Sequence, residues 1–406
     1  MSIKNENYLT EQSHTIDYVK IVNSQGSEFD VTGNLLNMDV YEDIRQGAST
    51  LEFSILDAHG FIVQMNLVGG EHVKISFTSM DSNRKTLPSY IKTFRVIDLT
   101  EVDDTKGLSS LLGFKCISEI VYNNSMRTIS KSFKNKTASE IIADIVKVNL
   151  GVNENLLLEA TKHRFDYIAP YIRPLAAIDY LLGQCQSGEN NTGDYMFYEN
   201  KDGWNLRTYE SMRSKDVTLD THKLVTRPTQ FSTFNFNHMR SYAITKHFST
   251  WVDSVSGYND IDITIVDPLT KSYYSNNYNI DEYRKNITNA NGAYTAKPTS
   301  TLPKTGVRAS ETYISRLFPT LKDMAQQRVS MNFDQLAADG KVVDITIPAN
   351  VAIKAGDGVY LDIINNDRNV NAKLSGNYVV KSLRHQVSRS AMYTHIQVIK
   401  DSEQKA

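Results

Sequence analysis

Two segments far apart in the chain carry one pattern, and this near-repetition restricts the possible folds more than any other feature. Gly70-Glu-His-Val73-Lys-Ile75 and Gly356-Asp-Gly-Val359-Tyr-Leu361 each set an acid after a glycine and then alternate apolar residues. Phe94-Arg-Val96 with Leu99 then matches Tyr378-Val-Val380 with Leu383, and Val73 to Val96 spans 23 positions where Val359 to Val380 spans 21. Each copy closes on a strand-like run, residues 111–117 in the first and 393–399 in the second. A turn glycine followed by a period of two is the signature of half-buried strands. Two readings fit: an internal duplication, or two hairpins that share only a glycine turn. Under duplication the chain holds two related antiparallel β-barrels, and a ring of three chains presents six similar faces.

The rest of the chain fits around those segments. Residues 16–122 read as strands, with Val19 and Ile21 alternating against Tyr18, Lys20 and Val22, and Leu51, Phe53 and Ile55 against Glu52 and Ser54. Thr137-Ala-Ser-Glu140 is a capping box ahead of Ile141, Ile142, Ile145, Val146 and Val148, which predicts a helix ending near Gly151. Pro174 opens a second helix with Leu175, Ile178, Leu181 and Leu182 on one face. Tyr195-Met-Phe-Tyr198 and Trp204-Asn-Leu-Arg-Thr-Tyr209 form a hairpin across the turn Glu199-Asn-Lys-Asp-Gly203. A Tyr-, Asn-, Ser- and Thr-rich stretch follows, with a polar, loop-rich part at 281–306; then come a helix over 321–332 and strands at 342–347, 359–364, 377–387 and 393–399.

The expected fold is therefore mainly β with α+β parts: two related antiparallel β-barrels, a small α+β domain and an inserted peripheral domain. The first barrel takes residues 1–121 and the α+β domain 122–212. The second barrel has too few strands of its own and must borrow one upstream, near 231–236. It is thus discontinuous, 213–236 and 306–406, with 237–305 inserted on the periphery. Val73 and Val359 then occupy equivalent positions, as do Val96 and Val380.

Local signatures of chemistry are missing. Forty-four basic against 46 acidic residues leave a net charge of −2, without the basic excess of a protein that grips phosphates or anionic lipid. Cys116 and Cys185 are too few and too far apart for a disulfide framework or a zinc knuckle. The polar first fifteen residues, and the lack of an apolar run of about eighteen, argue against a signal peptide or a membrane span. HExxH, GxSxG, Walker and GxGxxG patterns do not occur, and His59, His72, His163, His238, His247, His385 and His395 lack metal-ligand spacing. Asp260 and Asp262 share a strand face, but Ile261, Ile263 and Ile265 bring no oxygens for Ca²⁺, so a solvated face is the better reading. Leu302-Pro303-Lys304-Thr305-Gly306 matches a cell-wall sorting signal but is followed by strand-forming sequence, and is read as a coincidental loop. The tyrosines of 258–283 suit subunit contacts better than stacking platforms. No catalytic, cofactor-binding or metal residue is nominated, and no cofactor.

Taken in order, the first barrel, Ala138-Ser-Glu-Ile-Ile-Ala143, Pro174-Leu-Ala-Ala-Ile-Asp-Tyr-Leu-Leu182, the hairpin Phe197-Tyr-Glu-Asn-Lys-Asp-Gly-Trp204 and a closing barrel with Gly356-Asp-Gly-Val359 and Gly376-Asn-Tyr-Val-Val380 resemble the central baseplate hub of contractile-tailed bacteriophages. The fold is also similar to the N-terminal part of type VI secretion spike proteins. The resemblance implies a structural, non-enzymatic homotrimer in the virion tail baseplate, assembled in the host cytoplasm. Such a ring adapts a sixfold tail tube to a threefold central spike and passes DNA transiently through its channel. Its partners would be the spike, tail tube or tube-initiator proteins and other baseplate proteins, with no stable membrane association. The chain ends soon after the second barrel, which under this resemblance implies a separate spike protein. The alternatives are a hub of a related injection system such as a tailocin or type VI spike, a cell-wall-degrading tail enzyme, and a sugar-binding tail protein.

Overall fold

The computed structural model describes residues 14–57, 60, 64–80, 85–103, 110–152, 155–189, 192–213, 222–226, 238–246, 260–279, 292–293, 301–307, 315–317, 320–338, 340–364, 369–371, 373–400 and 403–404. Seven strands open the chain: β1 (His14–Val22), β2 (Glu28–Asp30), β3 (Leu35–Asp43), β4 (Thr50–Asp57), β5 (His72–Ser79), β6 (Tyr90–Asp103) and β7 (Ser110–Ser118). They pair in the order β2–β1–β5–β6–β7–β4–β3, each antiparallel to its neighbour. Alternation decides the inner face. Leu51, Phe53 and Ile55 of β4 are buried with Val19, Ile21, Val73, Ile75, Phe94 and Phe114 in one core, and Phe53 stacks on Phe114 at 4.6 Å.

The α+β unit follows as α1 (Glu119–Met126), β8 (Ile129–Thr137), α2 (Ala138–Asp144), β9 (Leu156–Leu158), β10 (Arg164–Ile172), α3 (Pro174–Leu182), β11 (Tyr195–Asn200), β12 (Gly203–Thr208) and α4 (Tyr209–Arg213). The capping box forms as expected. Thr137 Oγ1 accepts from Glu140 N at 3.3 Å, and Glu140 Oε2 accepts from Thr137 N at 3.0 Å. α2 runs on through a π-turn, Ile145–Asn149, before Gly151 turns the chain at φ +73°. Pro174 stands at the first turn of α3, where its missing N–H costs nothing. Ile141, Ile142, Ile145, Ile178, Leu181, Phe165 and Trp204 share the core of this unit.

Beyond it come β13 (Lys223–Val225), β14 (Ser241–Lys246), β15 (Asp260–Asp267), β16 (Ser272–Asn279), β17 (Gly292–Ala293), β18 (Thr301–Val307), β19 (Ser315–Leu317) and α5 (Leu321–Ala338). The chain then continues through β20 (Lys341–Pro348), β21 (Gly358–Asp362), β22 (Gly376–Ser388), β23 (Met392–Lys400) and β24 (Glu403–Gln404). β22 pairs with β3, so two sheet regions, each with its own core, are joined in one 13-stranded sheet. Its order is β14–β20–β23–β22–β3–β4–β7–β6–β5–β1–β2, with β21 joining β22 and β13 joining β21. The second core gathers Val343, Ile345, Val359, Leu361, Tyr378, Val380, Leu383, Ile396 and Val398.

Six strands of the first region have counterparts in the second. In chain order β1, β3, β4, β5, β6 and β7 correspond to β13, β14, β20, β21, β22 and β23, and the pairing order is the same in both. Val73 pairs with Phe94 and Val359 with Tyr378; Val96 pairs with Cys116 and Val380 with Val398. A bulge follows each, between Val96 and Asp98 and between Val380 and Ser382. Gly70 N donates to Val96 O at 2.9 Å and Gly356 N to Val380 O at 2.9 Å, while Val96 N and Val380 N donate back to Glu71 O and Asp357 O. Both glycines sit at positive φ, +83° and +84°, which favours glycine over any other residue. The valines therefore occupy equivalent strand positions. One direction differs: β13 runs parallel to β21, whereas β1 is antiparallel to β5.

The borrowed strands are β13 and β14; the stretch 231–236 lies outside the described residues. β14, which the composition shift puts in the inserted segment, pairs with β20 in the large sheet. Between β14 and β20, the strands β16–β15–β18 form a small sheet, with Ile261, Ile263 and Ile265 packed on Ala325 and Val329 of α5. The Leu302-Pro-Lys-Thr-Gly306 motif is not a loop but part of β18. That strand is the edge of its sheet, the place where a proline's lost donor is tolerated.

Candidate functional site: the buried joint at the hairpin tip

The β11–β12 hairpin ends in a two-residue turn, Asn200 pairing with Gly203, and this tip enters between the two sheet regions. Its charges are inside the protein. Glu199 Oε2 accepts from Ser49 N at 3.0 Å and Ser49 Oγ at 2.8 Å, while its Oε1 stands 2.9 Å from Lys92 Nζ. Lys92 Nζ also donates to Ser49 Oγ at 2.7 Å and Asn200 O at 3.0 Å, so all its protons are placed. The two side chains are only 3% and 2% exposed. An ion pair this deep is tolerated only when its remaining donors and acceptors are filled, as they are here.

The tip reaches the second region too. Asn200 Nδ2 donates to Ala355 O at 3.1 Å, and Lys201 Nζ bridges Pro88 O at 2.7 Å, ahead of β6, and Val351 O at 3.1 Å, after β20. Lys354 pairs with Asp202. Glu42 completes the joint: its carboxylate accepts from Tyr90 Oη at 3.1 Å and Ala355 N at 3.1 Å. Burial pushes its pKa up to about 7, against the pull of Lys92. Val351 N donates to Ser79 Oγ at 3.1 Å, and Ala349 and Val351 lie in the core of the first region. His385, edge-on to Phe77 and Tyr90, bonds Thr394 Oγ1 at 3.1 Å and is held neutral, its pKa pushed down to about 3 chiefly by burial. Three parts of the chain thus meet in one network whose centre, Lys92, Glu199, Glu42 and His385, is buried, while the Lys354–Asp202 pair at its margin is solvent-exposed.

Apart from His385, the residues singled out by sequence lie elsewhere and do not converge. Asp262 accepts from Asn277 Nδ2 at 2.6 Å on an exposed strand face. Cys116 and Cys185 are buried, their thiols pushed up by desolvation. His395 bonds Thr346 and Gln386, His163 bonds Gln186, and His72 faces Glu119 at 4.0 Å. His59 and His247 lie outside the described residues. Among the described residues, no three His, Cys, Asp or Glu side chains are grouped to hold a metal. An open groove of about 490 Å³ crosses the β3–β22 seam, and part of its polar lining is already paired: Arg384 with Asp39, Gln397 with Asp344, His395 with Thr346. The joint itself was readable in part. Lys92 is in phase with buried Tyr90 and Phe94 while Ile91 points outward, and Glu42 is in phase with buried Val40. A charge at an inward strand position marks a buried partner.

No family model matches the chain. In sequence it is 20% identical over 407 residues, 95% of this chain and 94% of the relative, to the probable baseplate hub protein of Vibrio phage KVP40. In fold it is similar to a tail protein from Neisseria meningitidis, with a TM-score of 0.58, 13% identity and coverage of 95% of this chain and 96% of that one. It is likewise similar to the 43 kDa tail protein of prophage MuSo2 from Shewanella oneidensis, with a TM-score of 0.57, 11% identity and coverage of 95% and 98%. A chain of the PdpA–VgrG complex matches at a TM-score of 0.51 and 9% identity, over 98% of this chain and 67% of that one. The chain is baseplate-hub-like along nearly its whole length.

Proposed function

We propose that this chain is the structural hub of a contractile tail baseplate, a ring of three copies that joins a sixfold tail tube to a threefold central spike. The observation that carries the reading is the duplicated strand order inside one continuous sheet. Two equivalent regions per chain give three chains six equivalent faces, which is what a sixfold-to-threefold adaptor requires. Such a part works through shape and interface area, and the joint suits it, since the tip is tied to both sheet regions by hydrogen bonds and a buried ion pair. The sheet face across β3, β22 and β23 bears Asp39, Arg384, Gln386, His395 and Gln397, polar and without basic excess. A passing DNA strand would not be retained by counterion release there.

The inserted sheet with α5, bounded by β14 and β20, stands on the periphery of the ring in this reading. The spike, the tube and the other baseplate proteins are its partners, and the tail tip is its place in the particle. A hub in a related injection system is the second reading, favoured by the likeness to a chain of the PdpA–VgrG complex. Gold-labelled antibody against the chain, applied to detached tails, tests the reading: label at the spike end of the tail is expected. Label on the capsid, or peptidoglycan cleavage by the purified chain, would overturn it.

A further inference from the structure

The duplication leaves two strand edges unmatched, and they match each other. In the second region β21 covers only the first part of β22, through Val379, and the remainder, Ser382 to Ser388, pairs with β3 across the seam. In the first region β5 likewise covers only the start of β6, through Arg95. The remainder, 97–103, pairs with β7 on one side and has no strand partner on the other among the described residues. β14 is the counterpart of β3, yet among the described residues it pairs with β20 alone. The open side of β6 is therefore the counterpart of the seam's β22 side, and the open side of β14 the counterpart of its β3 side.

We infer that β6 of one chain and β14 of a second copy pair edge to edge, antiparallel, repeating between chains the seam that β22 and β3 make within one. This rests on the ring reading and adds its register. Val96 is equivalent to Val380, so His385, Gln386 and Val387 correspond to Glu101, Val102 and Asp103. Val40 pairs with Leu51 as Ile244 pairs with Val343, so Val40, Asp39 and Met38 correspond to Ile244, Ala243 and Tyr242. The seam pairs His385 with Val40, Gln386 with Asp39 and Val387 with Met38. Between chains it becomes Glu101 opposite Ile244, Val102 opposite Ala243 and Asp103 opposite Tyr242.

Three features favour a second copy as the occupant. Ile97, Val102 and Tyr242 are 53%, 62% and 43% exposed, an apolar edge of the kind that attracts another strand. The β6 stretch carries Asp98, Glu101 and Asp103, whereas β14 carries Lys246 and follows Arg240, so the two edges are opposite in charge. The two edges also lie on different strands of one chain, so the contact is head-to-tail and closes into a ring when the rotation allows.

Paired cysteines test the register. Residues directly opposite on antiparallel strands have Cα atoms about 4.5–5.5 Å apart, within disulfide reach. Val102→Cys chains mixed with Ala243→Cys chains should oxidise to a mixed covalent dimer, and the double variant to covalent dimers and trimers on a non-reducing gel. Asp103→Cys with Tyr242→Cys provides a second in-register pair. Val102→Cys with Tyr242→Cys, one residue out and facing opposite sides, should stay at single-chain mass. Unchanged thermal unfolding of each single variant checks that the fold is intact. If sizing shows trimers while neither in-register pair links, or the offset pair links equally, the strand pairing is wrong and the ring stands. If sizing shows only single chains and nothing links, pairing and ring both fall.

Discussion

Removing Lys92 probes the joint most sharply. In Lys92→Met a stem of similar length keeps the packing, but Glu199, 2% exposed in the parent, loses its cation and keeps, among the described residues, the Ser49 amide and hydroxyl as donors. Breaking a buried pair from one side costs about 3–5 kcal/mol, because the surviving charge has neither solvent nor partner. The double variant Lys92→Met with Glu199→Gln removes that charge while its amide oxygen still accepts from Ser49. It should recover more than half of the loss, leaving about 1–2 kcal/mol. Urea unfolding followed by tryptophan fluorescence reads this out, since Trp204 stacks on Phe197 at 4.9 Å within the same hairpin. A Lys92→Met protein within about 1 kcal/mol of the parent, or a double variant as unstable as the single, would refute the account of the joint as a desolvated, mutually dependent network.

Two buried groups set opposite pH dependences. His385 has its folded pKa depressed to about 3, so its contribution is present above the unfolded value of about 6.5 and is lost as pH falls toward 3. Urea titrations should show the parent losing about 3 kcal/mol more than His385→Asn between pH 7.5 and 4.5. Glu42 has its folded pKa raised to about 7, so its contribution is present at low pH and lost as pH rises from the unfolded value toward 7. Glu42→Gln should therefore gain on the parent between pH 5 and pH 8, by up to about 3 kcal/mol in the same titrations. Alanine at either repeat glycine forces a left-handed backbone, worth roughly 1–2 kcal/mol, and drives its Cβ into a tyrosine, Tyr122 at Gly70 and Tyr198 at Gly356. Because Tyr198 is fully buried and Tyr122 is not, Gly356→Ala should lower the melting temperature more than Gly70→Ala.

What was legible in the sequence was what repeats locally. Thr137 with Glu140, Pro174 and the period of two in β4 are decided by neighbours in the chain, and the structure shows each where the pattern puts it. The Gly70 and Gly356 match was legible because a positive φ at a tight turn restricts the residue type. The β3–β22 seam was not, because Met38 and Val387 alternate identically whether or not their strands pair with each other. β18 was missed because Pro303 and Gly306 read as turn residues, and only an edge position lets both stay in a strand. Which residues partner one another in the joint was hidden for another reason. Ser49, Lys92, Glu199 and Ala355 come from four distant places, and no spacing rule connects them.

The central claim is that three copies of one duplicated chain make a ring with six similar faces. Electron cryomicroscopy of the concentrated protein, viewed end-on, tests it directly. The account predicts rings built from three 45.9 kDa chains, with six similar lobes around an open centre. Rings of six chains, or compact particles with no central opening, would contradict it.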